Sequence, residues 1–180
     1  MTTRSMFVVF DLDGTLAIND HRQHFVERPV GEKDWRSFFA ACDKDGLFWQ
    51  VARVLQVLEA TGNTVEIWSG RSAEVIDKTR AWLAEHGLGH IPFKCRDEGD
   101  HTPDHVLKKQ WLDAASQKPD LVFDDRASVV AMLNETGKGL KDAKGVKAMS
   151  EQSYRNWKSK NFAGYQIPND DDVIEANSEE

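Results

Sequence analysis

The 180-residue sequence predicts an α/β fold, a parallel sheet with helices on both faces. Two observations carry this. Short apolar runs rich in β-branched and aromatic residues alternate with amphipathic segments of helix length. Three of the runs, FDLDGT, IWSGR and VFDDR, break off at polar residues. Strand ends of that kind gather where a doubly wound sheet presents its carboxyl edge to a ligand.

Taken in order, MFVVFDL reads as a buried strand, and Glu32–Cys42 as a short helix between polar loops. In FWQVARVLQVLEATG, helical spacing puts Val51, Val54, Leu55 and Leu58 on one face, and Gly62 ends the helix. TVEIWS is the second strand. Ser72 is placed to cap the next helix, whose Val75, Ile76, Thr79, Trp82 and Leu83 share a side until HGLG stops it. IPFKCR reads as a weaker strand, and DHVLKKQWLDAASQ as a helix with Asp104 at its capping position. PDLVFDD is a strand, and RASVVAMLNETG a helix closed by Gly137. Beyond it, EQSYRNWKSKN is expected to form one more helix, and the acidic end to be disordered. The expected organisation is a core over 1–145 with a small cap inserted at about 20–45, a helical extension over 146–168, and a tail over 169–180.

The formal net charge of −7 is concentrated at the end of the chain, where NDDDVIEANSEE holds six acids and no base. The remainder is close to neutral and carries no Lys/Arg stripe, which argues against an extended grip on a duplex. No run of about eighteen apolar residues is present, so no membrane span is expected. The N-terminus has no small-residue cleavage pattern and does not read as a signal peptide. Cys42 and Cys95 stand far apart, which suits a reducing compartment, hence the cytosol.

The chemistry lies at the strand ends. Asp11 and Asp13 are two apart, so an extended backbone sends both side chains towards one centre. Asp124 and Asp125 arrive from another strand end. Four acids there call for a cation, and hard oxygen ligands beside phosphate chemistry point to Mg²⁺. A carboxylate can attack phosphorus, and its neighbour two residues on can carry the proton. Ser69 and nearby N–H groups suit phosphoryl oxygens, as does the compact cation of Lys108; Arg22 and Arg71 suit bidentate phosphate binding. His21, His24 and His101 fit no zinc spacing and read as solvated or substrate-side residues. Trp35 and Phe38 read as a small buried patch of the cap rather than a base-stacking pair.

These residues resemble the haloacid dehalogenase (HAD) superfamily. Its DxDGT motif is matched by Asp11 to Thr15, its strand-terminal Ser/Thr by Ser69, its lysine by Lys108 in preference to Lys109, and its acidic pair by Asp124 and Asp125. The resemblance implies a Rossmann-like core, bound Mg²⁺, Asp11 as nucleophile and Asp13 as acid/base, the second acid being the mark of the phosphatases. A closer likeness, over roughly residues 7–137, is to the 3′-phosphatase domain of phage polynucleotide kinase/phosphatase. It rests on DLDGTLA followed by Arg22, on SGR with Gly70 and Arg71, on CRDEGDHTPDHVLK with Asp104 and Lys108, and on DDRASVVAML. It implies substrate-binding positions at Thr15, Arg22, Gly70, Arg71 and Asp104, with metal held by Asp11, Asp13, Asp124 and Asp125.

The substrate implied is a phosphorylated nucleotide or nucleic-acid strand end, first of all a polynucleotide 3′-phosphate, and the location the cytosol, that of the host if the gene is phage-borne. There is no GxxxxGK[ST] loop, so a kinase or ligase partner would be a separate protein. A mononucleotide phosphatase and a non-catalytic phosphate-binding module are the alternative readings.

Overall fold

In β1 (Phe7–Phe10) all four residues are buried, because both faces of the strand are covered. In the computed structural model, which describes residues 5–139, β1 pairs in parallel with β4 (Thr64–Ser72) on one side and β6 (Leu121–Phe123) on the other. β5 (Phe93–Arg96) adds to the outer edge of β4, giving the strand order β5-β4-β1-β6. The order reverses at β1, so its carboxyl end, where Asp11 begins, is the switch point at which such sheets bind ligands.

Alternation along β1 splits the core. Val8 and Phe10 pack with Leu55 of α2 (Trp49–Ala60) and with Trp82 and Leu83 of α3 (Ile76–Glu85). Phe7 and Val9 pack on the opposite face with Leu112 of α4 (Asp104–Ala114) and with Val129, Met132 and Leu133 of α5 (Ala127–Gly139). The α/β fold with helices on both faces is therefore present. One helical reading needs correction. Val54 is 45% exposed, while Ala52 and Leu55 are buried, because the apolar stripe of α2 is centred nearer Ala52 and leaves Val54 on its flank.

A second, two-stranded ribbon pairs β2 (Ala17–Ile18) with β3 (Gly46–Leu47). The chain between them carries two 3₁₀ turns, Asp20–Phe25 and Cys42–Lys44, and the six-residue helix α1 (Trp35–Ala40). Asp34 caps α1 by accepting from the Ser37 N–H. Asp104 is not a cap: Pro103 holds that position and Asp104 opens the helix with its carboxylate turned inward. The expected helix over EQSYRNWKSKN and the acidic tail lie outside the described residues.

Candidate active site

The DLDGT turn leaves β1 at Asp11, whose N–H donates to the Phe123 carbonyl at 2.8 Å and so ties the turn to β6. Gly14 adopts φ +86°, and a side chain there would meet the Asp125 carboxylate at 2.3 Å. Glycine at that position is what lets the two acidic strand ends close on each other.

Lys108 reaches between those strand ends from α4. Its Nζ donates to Asp11 Oδ1 at 2.5 Å and to Asp124 Oδ2 at 2.7 Å, and all three side chains are nearly buried. Lys109, the neighbouring alternative, is exposed and pairs with Asp113. Burial pushes the Asp11 carboxyl well above the usual range; Lys108 opposes this, and Asp124 and Asp125 reinforce it. Burial, followed by the charge on Asp124, pushes Asp125 up to about 7.

Asp13 belongs to a different electrostatic unit. Its carboxylate accepts from Arg22 Nη2 and from Arg71 Nη2 and Nε. The same two guanidinium groups are held from behind by Asp45, which accepts from Arg22 Nε at 2.7 Å, Arg22 Nη2 at 2.6 Å and Arg71 Nη2 at 2.9 Å. Two acids and two arginines thus form a buried, charge-balanced quartet. Burial alone would raise the Asp13 carboxyl, but Arg71 and Arg22 override it and hold it far below the usual range.

This geometry changes three sequence expectations. The Asp13 side chain does not turn to a shared cation with the other acids, because both its oxygens are engaged by arginine. Arg22 and Arg71 are fully buried and face Asp13, Asp45, the Phe38 carbonyl and Thr79, so neither fork is directed at incoming phosphate. Ser69 is also fully buried, its Oγ accepting from the Arg71 N–H at 3.2 Å, whereas Gly70 and Ser72 line the cleft. A bulge between Ser69 and Ser72 in the pairing with β5 shifts the register at this point.

Asp104 meets Arg96 Nη2 at 3.1 Å, Arg126 Nη1 at 3.6 Å and Lys108 Nζ at 3.7 Å. A side chain at residue 70 would lie 1.9 Å from its Oδ1, so the glycine of SGR makes room for this carboxylate. Arg96 donates as well to the carbonyls of Gly70 (2.8 Å) and Thr102 (2.5 Å), fastening the loop after β5 to the bulge. Sequence reasoning missed Asp45, Arg96 and Arg126 as site residues. The signals available for them were weak: an acid before a glycine at the end of the insertion, and arginines inside two of the quoted motifs.

Among the described residues, no three His, Cys, Asp or Glu side chains are gathered as a metal cluster, and the positive group between Asp11 and Asp124 is Lys108. The donor set nevertheless fits a hard cation. Asp125 Oδ1 is buried without a hydrogen-bond partner, as is Thr15 Oγ1 on the facing turn. An unpaired carboxylate oxygen beside two further acids is costly until a positive charge reaches it. The consequence for stability has a definite sign. The folded pKa of Asp125, about 7, exceeds the unfolded value of about 3.9, so in cation-free protein its contribution is lost as pH rises through that window. The low folded pKa of Asp13 acts oppositely: its stabilisation is present above about pH 4 and lost as pH falls below. Mg²⁺ is therefore expected to raise Tm more at about pH 7.5 than at about pH 5, as read by thermal scans with Mg²⁺ and with EDTA. Equal shifts at both pH values would contradict the assignment of Asp125.

Asp11, Asp13 and Gly70 share a cleft of about 350 Å³ with Trp35, Phe39 and Arg126. An open α/β sheet whose switch-point strand ends in DxDGT, facing an acidic pair and a buried lysine, defines a phosphatase of the HAD type. The chain belongs to the family of the polynucleotide kinase PNKP phosphatase domain, whose model matches residues 5–142. A chain in the structure of a Pnkp1/Rnl/Hen1 complex is similar at 28% identity and TM-score 0.58, with 72% of this chain and 42% of that one covered. A chain from the Pnkp1/Rnl/Hen1 RNA repair complex gives 24% identity and TM-score 0.60, covering 81% and 42%. The class C acid phosphatase from Bacillus anthracis shares the fold at 16% identity and TM-score 0.56, covering 98% and 80%. The chain thus spans less than half the length of the two Pnkp1/Rnl/Hen1 complex chains. No curated protein matches the sequence.

Proposed function

We propose that this protein is a Mg²⁺-dependent phosphomonoesterase that acts through an aspartyl-phosphate on Asp11, with polynucleotide 3′-phosphate ends as substrate. The observation that supports this most directly is Asp11 itself: a carboxylate at the switch point, held by Lys108 and opening into the cleft. Asp11 attacks phosphorus, and Lys108 offsets charge on Asp11 and Asp124 so that an anionic phosphoryl group can approach. Asp13 carries the proton to the leaving oxygen and later takes one from water; Arg22 and Arg71 position it but favour its ionised form, so the acid step requires an arginine contact to give way. Asp11, Asp124 and Asp125 are the residues that would hold Mg²⁺. The bound ion would neutralise charge on the phosphoryl oxygens.

The substrate class is supported by the cleft walls and by the family. Arg36 and Arg126 line the cleft, a pair of cations suited to a strand end rather than to a long duplex, whereas Arg96 is engaged by Asp104 and two backbone carbonyls. The likeness to a chain of the Pnkp1/Rnl/Hen1 RNA repair complex makes a separate repair enzyme a fitting partner. With Mg²⁺, kcat/KM is expected to be about tenfold or more higher for a 3′-phosphorylated oligonucleotide than for its 5′-phosphorylated counterpart or a nucleoside 3′-monophosphate. A preference for the mononucleotide would overturn the end-repair reading. Wild-type protein inert towards all three esters, and towards glycerol phosphate, would leave only a phosphate-binding module.

A further inference from the structure

The cap places its aromatic residues differently from the sequence expectation. Phe38 is 2% exposed, but Trp35 is 41% exposed and, with Phe39, lines the same cleft as Asp11 and Asp13. Trp35 and Phe39 are four apart and share one face of α1, their rings within 28° of parallel and their centroids 5.9 Å apart. Phe38 supports them from below, edge-on to Trp35 at 5.8 Å and to Phe39 at 5.6 Å.

This face is fixed relative to the reacting centre. The Arg22 guanidinium lies over the Phe38 ring at 4.1 Å, and its Nη1 donates to the Phe38 carbonyl at 3.2 Å. Arg22 also holds Asp13, so a short chain of contacts runs from the proton carrier to the aromatic face. The far end of α1 is fastened by Lys78, which donates to the Ala40 carbonyl at 2.5 Å. Trp35 thus keeps about two-fifths of its surface open on a helix fastened by Arg22 and Lys78. Around it stand cations: Arg36 beside it on the helix, Arg126 on the same cleft, and Lys33 with Nζ 5.7 Å over the indole ring.

Aromatic faces set among guanidinium groups are how proteins hold single-stranded nucleic acid without reading its sequence. We propose that Trp35 and Phe39 form a stacking platform for the nucleobase of the 3′-terminal nucleotide, while its phosphate lies at Asp11. The inference rests on the polynucleotide reading above and adds to it a subsite for the terminal base. Because every base has a π-face, the platform distinguishes a base from no base and is tolerant of which base is present.

The test compares a 3′-phosphorylated oligonucleotide with one identical except that its terminal nucleotide is abasic. Wild-type protein is expected to prefer the base-bearing end by about 5- to 150-fold in kcat/KM, the range spanned by stacking of one base on an aromatic side chain. Trp35→Ala brings the two ends to within about twofold, mainly through KM, and Trp35→Phe keeps most of the preference. General damage to the fold slows both substrates together and leaves their ratio alone, so the ratio reports the platform. Phe39→Ala gives a second reading of the same ratio. A preference that survives in Trp35→Ala, or equal rates on the two ends in the wild type, overturns the platform while the polynucleotide reading stands. Hydrolysis of glycerol phosphate but of neither oligonucleotide overturns both.

Discussion

Asp11→Asn is expected to reduce phosphomonoester turnover on the order of 10⁴-fold or more, with the fold intact. The amide preserves the shape of the side chain but cannot form the acyl phosphate. The backbone at this position is held independently of the side chain, through the Asp11 N–H to Phe123 carbonyl bond. Lys108 keeps a carboxylate partner in Asp124 at 2.7 Å, so it is not left as a lone buried cation. Burial disfavours the ionised Asp11, and a neutral residue removes that cost along with its repulsion of Asp124 and Asp125. Tm in EDTA is therefore expected to hold or rise while activity disappears. Turnover within about tenfold of wild type would show that Asp11 is not the nucleophile.

Asp45→Ala is expected to cost about 3–5 kcal/mol of stability, although Asp45 lies outside the lining of the cleft. The quartet is neutral only while Asp13 and Asp45 together face Arg22 and Arg71. Removing Asp45 leaves two fully buried guanidinium groups sharing one carboxylate, and strips Arg22 and Arg71 of three hydrogen bonds at 2.6–2.9 Å. It also leaves His21 Nε2 without the Asp45 oxygen 3.0 Å away. The arginines then bear on Asp13 alone, so turnover should fall as well through a misplaced proton carrier. Urea unfolding curves of wild type and variant measure the stability term. A loss below about 1 kcal/mol would show that Asp45 is not needed to balance the pair.

The sequence determined the elements, because their signals are local. Val8 and Phe10 alternating with Phe7 and Val9 mark a strand covered on both faces, and helical spacing in α3 picked out Thr79, Trp82 and Leu83, all of which are buried. The strand-end acids were equally legible, since a greasy run that stops at Asp11 or Asp124 needs only its neighbours to be read. Side-chain partnership was not, because it depends on atoms brought together from far along the chain. Asp45 is 23 residues from Arg22 and 26 from Arg71, and nothing in ACDKDGL separates a buried counter-ion from a solvated acid. Likewise Trp35 and Phe38 are both large aromatic residues on one short helix, and their packing in three dimensions, with Arg22 over the Phe38 ring, buries the second and leaves the first partly open. Which cation answers which acid, Lys108 for Asp11 and Asp124 but arginine for Asp13, was decided by tertiary structure, because Coulomb energy follows distance in space and not spacing in the chain.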